Sequence, residues 1–210
     1  MMELLPSVAS AEQINLGAAI DSLGEWPYLH IDMEDGNFVP NITFGMKTVK
    51  AICGHAEGKR VDVHMMATNP VQYLEGLAEC GVAMVCAHIE ALEYPLLFLE
   101  EAKRLGMEAG LALNFKTPIE AFEPFSDAAD YLLVMTSEPD GRGQLLSDYA
   151  VQKAIRAAKR YPRVYTDGGI DENTLQRLAE GNLCGAVLGR LAFSCDSPDK
   201  KLSALAARFK

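Results

Sequence analysis

The feature that most constrains this chain is a rhythm. Short apolar, β-rich runs alternate with stretches of helical periodicity along the whole length. The runs fall at residues 4–8, 28–33, 61–66, 82–87, 108–113, 130–136, 163–167 and 184–189. Helical spacing of apolar residues marks 11–23, 44–53, 70–80, 92–105, 145–160, 171–180 and 198–209, and a shorter, weaker stretch covers 117–125. Strands that alternate with helices imply a parallel sheet, because each crossover returns the chain to the same end. Eight units fit a closed barrel better than an open doubly wound sheet, which usually has fewer strands and a Gly-rich first turn. No G-x-G-x-x-G follows the first run. The expectation is therefore an α/β fold, a single (β/α)8 TIM barrel over 1–210, with loops kept short because 210 residues is near the lower limit for that architecture. Asn69-Pro70, Thr117-Pro118 and Ser197-Pro198 read as helix starts, and Gly81 and Gly106 as helix stops.

Charge and composition remove several functions. A net charge of −10 argues against a general nucleic-acid binder, which needs a Lys/Arg-rich face. It leaves room for a small anion held by a few local donors. No apolar run approaches the ~20 residues of a membrane helix, and the start, MMELLPSVAS, lacks the pattern of a secretion signal. Five scattered cysteines (Cys53, Cys80, Cys86, Cys184, Cys195) without a C-x-x-C pair read as reduced thiols of a cytoplasmic protein.

In a barrel of this kind the active site lies at the C-terminal ends of the strands. The polar residues expected there are Ser7, His30, Asp32, Glu34, His64, His88, Asn114, Thr136 and Asp167, with Gly189 at the last strand. Four of them are metal-ligand types: His30, Asp32, His64 and Asp167. His30 and Asp32 are two apart, so they point to the same side of one strand. Any one of the four alone reads better as a core or turn residue. The set converging inside an apolar barrel would be costly without a cation, and two imidazoles with two carboxylates suit a divalent Zn, Mn, Fe or Co ion. His88 and Glu90 read equally as orienting residues behind the ligands or as a surface loop pair.

The stretch His30-Ile31-Asp32-Met33-Glu34-Asp35-Gly36-Asn37-Phe38-Val39-Pro40-Asn41, with Thr43 and Gly45 beyond, resembles the signature of ribulose-phosphate 3-epimerases. So do Leu5-Pro6-Ser7, Asp62-Val63-His64-Met65-Met66, His88-Ile89-Glu90, Ala112-Leu113-Asn114 with Thr117-Pro118, Val134-Met135-Thr136, Asp167-Gly168-Gly169-Ile170, Gly189 and Phe193. The resemblance covers nearly the whole chain in order. It implies epimerisation at C3 of a ketose phosphate, D-ribulose 5-phosphate to D-xylulose 5-phosphate or a close analogue. A divalent metal would sit on His30, Asp32, His64 and Asp167, and Asp32 and Asp167 would serve as acid and base on opposite faces of the substrate. It places Ser7, His64, Asn114 and Gly143 near substrate. Met66 and Met135 would line the cavity, with ordinary core packing as the alternative reading. It assigns phosphate to the backbone N–H groups of Gly168, Gly169, Gly189 and Arg190. Family resemblance also implies a homo-oligomer, a dimer or larger.

The chain departs from the family pattern in three places. The loop after the sixth strand, which resembles N-P-G-F-G-G-Q in the family, reads Glu138-Pro139-Asp140-Gly141-Arg142-Gly143-Gln144. Arg190 replaces a small residue, and Glu34 replaces a methionine. Arg142 and Arg190 would add side-chain contacts to an anionic group, and Glu34 would meet a substrate hydroxyl or join the metal shell, so the substrate could be D-allulose 6-phosphate or another hexulose phosphate. The competing reading is drift, with both arginines turned to solvent. A sugar-phosphate lyase would carry a lysine at a central strand end, and none is present. A barrel that binds a phosphosugar without turning it over is the remaining alternative.

Overall fold

All eight apolar runs become strands in the computed structural model, which describes residues 2–139 and 145–209. They are β1 (Glu3–Pro6), β2 (Tyr28–Glu34), β3 (Arg60–Met66), β4 (Met84–His88), β5 (Glu108–Leu113), β6 (Tyr131–Met135), β7 (Val164–Asp167) and β8 (Gly185–Leu188). Every pairing is parallel, in the order β1-β8-β7-β6-β5-β4-β3-β2. A parallel bridge between Ser7 and His30 links the two ends of that order and brings the sheet round into a barrel.

The helices are α1 (Leu16–Asp21), α2 (Met46–His55), α3 (Leu74–Glu79), α4 (Pro95–Arg104), α5 (Asp148–Ala158), α6 (Glu172–Glu180), α7 (Arg190–Phe193) and α8 (Pro198–Arg208). Two segments differ from their periodicity for local reasons. The expected 11–23 helix shortens to α1 behind the 3-10 turns Val8–Ser10 and Gln13–Asn15. There the side chains of Ser7 and Glu12 accept from nearby N–H groups and favour tight turns over a continuous ladder. The weak 117–125 stretch is a 3-10 helix, Ile119–Phe125, with Pro124 inside it removing one N–H donor. Its start falls after Pro118, whereas Pro70 and Pro198 occupy first-turn positions as expected. Gly81 and Gly106 follow α3 and α4 with φ of +76° and +87°, the left-handed stop that glycine adopts without strain.

Alternation then sorts the strands. Leu5, Cys86, Ala112, Leu133, Tyr165 and Val187 pack against one another in one cluster, and their neighbours, among them Leu4, Val85, Leu111, Val134 and Leu188, pack in another with residues of the helices. Gly110 is tightly packed on the inner side, since a Cβ there would lie 2.5 Å from the Tyr131 ring. Gly110→Ala is expected to cost ~1–3 kcal/mol, the usual toll of overpacking a filled core. Urea denaturation measures it, and an unchanged midpoint would show that the ring swings aside. All five cysteines are free, and no helix among the described residues is long and apolar enough to cross a membrane.

Candidate active site

Strand period and register build the site. On β2, residues 28, 30, 32 and 34 share a side, and parallel pairing sets Asp32 beside His64 on β3 and Met135 on β6 beside Asp167 on β7. His30, Asp32, His64 and Asp167 are all buried, and each brings one ligand atom within 4.8 Å of the others. His30 Nε2 lies 3.2 Å from Asp32 Oδ1, and His64 Nδ1 lies 3.4 Å from Asp32 Oδ1 and 3.2 Å from Asp167 Oδ2. The four residues picked out in the sequence are thus brought together.

Asp32, His30 and His64 are also engaged on the side away from the cluster. Ser7 donates to Asp32 Oδ2 at 2.5 Å. His30 Nδ1 is 2.7 Å from Asp62 Oδ2, and Tyr131 donates to the other Asp62 oxygen at 3.3 Å. His64 Nε2 is 2.9 Å from His88 Nε2, whose ring places Nδ1 3.3 Å from Glu90 Oε2. The tautomers follow from that chain. Glu90 accepts from His88 Nδ1–H, so a neutral His88 must accept at Nε2, and His64 must donate there. The Nδ1 of His64 is then left to face the aspartates. His88 is therefore buried behind His64, while Glu90, exposed on the 3-10 turn Ile89–Ala91, holds His88 Nδ1 from its outer side. Asp62 and Tyr131 were not singled out as site residues, although Asp62 stands two before His64 and so shares its side of β3.

Electrostatics separates the two aspartates. Burial raises the proton affinity of Asp32, but the charge of His30 and hydrogen bonds from both histidines outweigh it and hold the carboxyl far below the usual range. Burial and then the charge of Asp32 push Asp167 upward. Burial lowers His64, but hydrogen bonds to Asp167 and Asp32 prevail and lift it to about 9. His30 is likewise raised well above normal by Asp32 and Asp62 against the effect of burial. Burial brings His88 down to about 4, which keeps it neutral. Glu34, buried beside Asp32, is pushed up to about 7. It accepts from Asn41 Nδ2 at 2.6 Å and stands outside the four-residue cluster. Two imidazoles and two carboxylates, with a third carboxylate close by, make a donor set that fits a divalent ion.

A cavity of about 530 Å³ opens over this cluster. Its lining includes Ser7, Asp32, Glu34 and Asp167, and on another side Gly168, Gly169, Gly189 and Arg190. Gly168 has φ +115°, and a Cβ there would come within 2.3 Å of Ser137 Oγ; at Gly189 the same addition would meet Ser10 Oγ at 2.3 Å. Both positions need a bare backbone. Asn114 donates its N–H to Glu90 and is not among the lining residues. Met66 and Met135 are fully buried, paired in register with Glu34 and Asp167 respectively. Arg142 and Gly143 lie outside the described residues.

A parallel (β/α)8 barrel whose C-terminal mouth gathers two histidines and two aspartates beneath an open cavity is an enzyme barrel with a candidate metal centre. The family model for "Ribulose-phosphate 3 epimerase family" matches residues 3–193, and the chain belongs to that family. It is thereby an isomerase of the carbohydrate epimerase class. The chain is 34% identical over 209 residues to the ribulose-phosphate 3-epimerase of Schizosaccharomyces pombe, covering 97% of this chain and 92% of that protein. It is 32% identical over 213 residues to the cytoplasmic isoform from Oryza sativa, with coverage of 97% and 92%. Among solved structures it is similar to 3-hexulose-6-phosphate synthase from Salmonella typhimurium, with a TM-score of 0.75, 17% identity and 100% of both chains covered. A mutant tryptophan synthase alpha-subunit from Pyrococcus furiosus gives a TM-score of 0.70 at 14% identity, covering 99% and 97%. At those identities the structural likeness speaks for the barrel alone.

Proposed function

We propose that this protein inverts C3 of a ketose phosphate, interconverting D-ribulose 5-phosphate and D-xylulose 5-phosphate or a close analogue. The observation that carries the reading is the pair Asp32 and Asp167, on β2 and β7, facing one cavity with His64 between them. Inversion needs one group to take a proton from carbon and a second, on the far face, to return one. Asp32 and Asp167 fill these roles, with their order set by the direction of reaction. Their surroundings shift the two carboxyls in opposite directions, Asp32 downward and Asp167 upward, which supports unlike roles for them. His30, Asp32, His64 and Asp167 would hold a divalent Zn, Fe, Mn or Co ion. Such an ion supplies positive charge against the oxygen that becomes negative when the adjacent carbon loses its proton. Ser7 fixes the Asp32 oxygen that points away from the histidines. Backbone N–H groups of Gly168, Gly169, Gly189 and Arg190 take the phosphate, and the Arg190 side chain adds positive charge at that end of the cavity.

Glu34 supports a second substrate reading. A carboxylate lining the cavity, anchored by Asn41 and standing apart from the ligand cluster, is placed to accept from a substrate hydroxyl, which favours a more hydroxylated hexulose phosphate. Glu34→Met is expected to raise KM for the preferred sugar about 10- to 100-fold, the loss of a charge-assisted hydrogen bond, with a smaller effect on poorer substrates. Equal KM values across a set of pentulose and hexulose phosphates would remove Glu34 from the substrate's surroundings. The overall proposal is tested by solvent-deuterium incorporation into ribulose 5-phosphate and its hexulose analogues, with and without chelator. Exchange with inversion supports it. Tight binding without any exchange would leave only a phosphosugar-binding barrel.

A further inference from the structure

We propose that Lys153 is a positioning residue for the candidate metal centre, acting through the Asn114–Thr117 turn and the Glu90–His88 pair on His64. The inference rests on the reading of the His/Asp cluster as a metal site.

Lys153 lies on α5 and is 1% exposed, a burial that lysine rarely tolerates. Its neighbours on the same helical face, Ala150, Ala154 and Ala157, are buried too, so Lys153 leaves α5 on its packed side. Its partners are backbone carbonyls rather than a carboxylate: Nζ donates to Asn114 O at 2.6 Å and to Thr117 O at 3.0 Å. The same turn gives its donors to an acid. Asn114 N–H reaches Glu90 Oε1 at 2.9 Å, and the Thr117 hydroxyl donates to that oxygen as well. The turn is thus gripped by a cation at its carbonyls and by an anion at its donors. The second oxygen of Glu90 meets His88 Nδ1, His88 Nε2 meets His64 Nε2, and His64 Nδ1 faces Asp32 and Asp167. One continuous polar chain therefore runs from α5 to the ligand set. A buried ammonium is weak support for stability compared with an apolar side chain of similar size. What this one accomplishes is a fixed turn, a fixed Glu90 and a single ring orientation for His64.

The test is Co2+ binding and turnover in Lys153→Met, Lys153→Arg and Glu90→Gln. Lys153→Met is expected to lose about 10- to 100-fold in Co2+ affinity, the usual effect of removing an outer support of a ligand. The visible Co2+ spectrum should change, and kcat should fall with KM nearly constant. Lys153→Arg should recover part of the affinity. The Lys153→Met/Glu90→Gln double variant should lose little more than the worse single change, because both act along one chain. Wild-type Co2+ affinity and spectrum in Lys153→Met, with only a lower Tm, would overturn the proposal and leave Lys153 as a staple of the fold. If Lys153→Met does not fold, Thr117→Val takes its place under the same readouts, and unchanged Co2+ binding there overturns the proposal equally. Failure of the wild-type protein to bind Co2+ would instead sink the metal-site reading, and this inference with it.

Discussion

Asp167→Asn is expected to lower kcat by about 10²- to 10⁴-fold, the range that a positioned acid or base contributes. The substitution keeps an amide oxygen where Asp167 Oδ2 faces His64 Nδ1 at 3.2 Å, so the side chain can still fill the ligand position. What it loses is the capacity to carry a proton. Asp32→Asn should be similarly slow: its amide oxygen can stay at the Oδ1 position facing the histidines, with Ser7 Oγ then accepting from the NH2 that replaces Oδ2. The two variants should differ in a way that loss of the ligand set alone does not produce. With one aspartate gone, the other can still exchange the hydrogen on its own face of the sugar. Each variant should therefore wash solvent deuterium into one epimer without inverting it, and the two variants should choose opposite epimers. Proton NMR in D2O reads both outcomes. A kcat within twofold of wild type in either variant would remove that residue from proton transfer. Loss of exchange on both faces in both variants would point to collapse of the site instead.

How much of this was legible beforehand depends on whether the signal was local. The strands were, because a buried parallel strand is an apolar run bounded by turn residues, and eight such runs leave few topologies. The four ligand-type residues were legible because all lie within such runs, Asp167 at the end of its run and Asp32 next to the end, and because two-residue spacing puts His30 and Asp32 on one side of β2. The segment 117–125 was read weakly as a helix because its apolar spacing is short, and the competing effect of Pro124 within it decided for a 3-10 helix. Asp62 carried a usable signal, two residues ahead of His64 on the same strand. Lys153 carried one as well, a lysine at helical spacing among the buried positions Ala150, Ala154 and Ala157. Their partners carried none. That Asp62 would meet His30, or that Lys153 would close on the carbonyls of Asn114 and Thr117, depends on register and helix docking, which arise only when the barrel closes.

Metal loading is expected to expel protons at neutral pH, one of them from His64, because a ligand must be deprotonated to bind. In the metal-free protein His64 holds its proton up to about 9, and Asp32 and Asp62 push His30 in the same direction. Each displaced proton steepens the pH dependence by one decade per unit, so the apparent Kd should fall about 10-fold per unit of pH rise for each imidazole that is still protonated. Calorimetry in buffers of different protonation enthalpy counts the protons. The same groups set the sign for stability. A histidine whose folded pKa lies above its unfolded 6.5 stabilises fully below 6.5 and loses that contribution as pH rises toward the folded value, about 9 for His64. Glu34, raised to about 7, and Asp167, also raised, act in the same direction, whereas Asp32, held low, contributes above its unfolded value and weakens the fold only on acidification. The Tm of the metal-free protein should therefore decline between about pH 6.5 and 9. The metal-bound protein gains RT ln(1 + [M]/Kd) as Kd falls, so the gap between the two melting points should widen with pH. Chelator should abolish turnover, and a divalent first-row ion should restore it. A metal-free Tm that climbs across that interval, or metal uptake without proton release, would mean that these two imidazoles are neutral before the ion arrives.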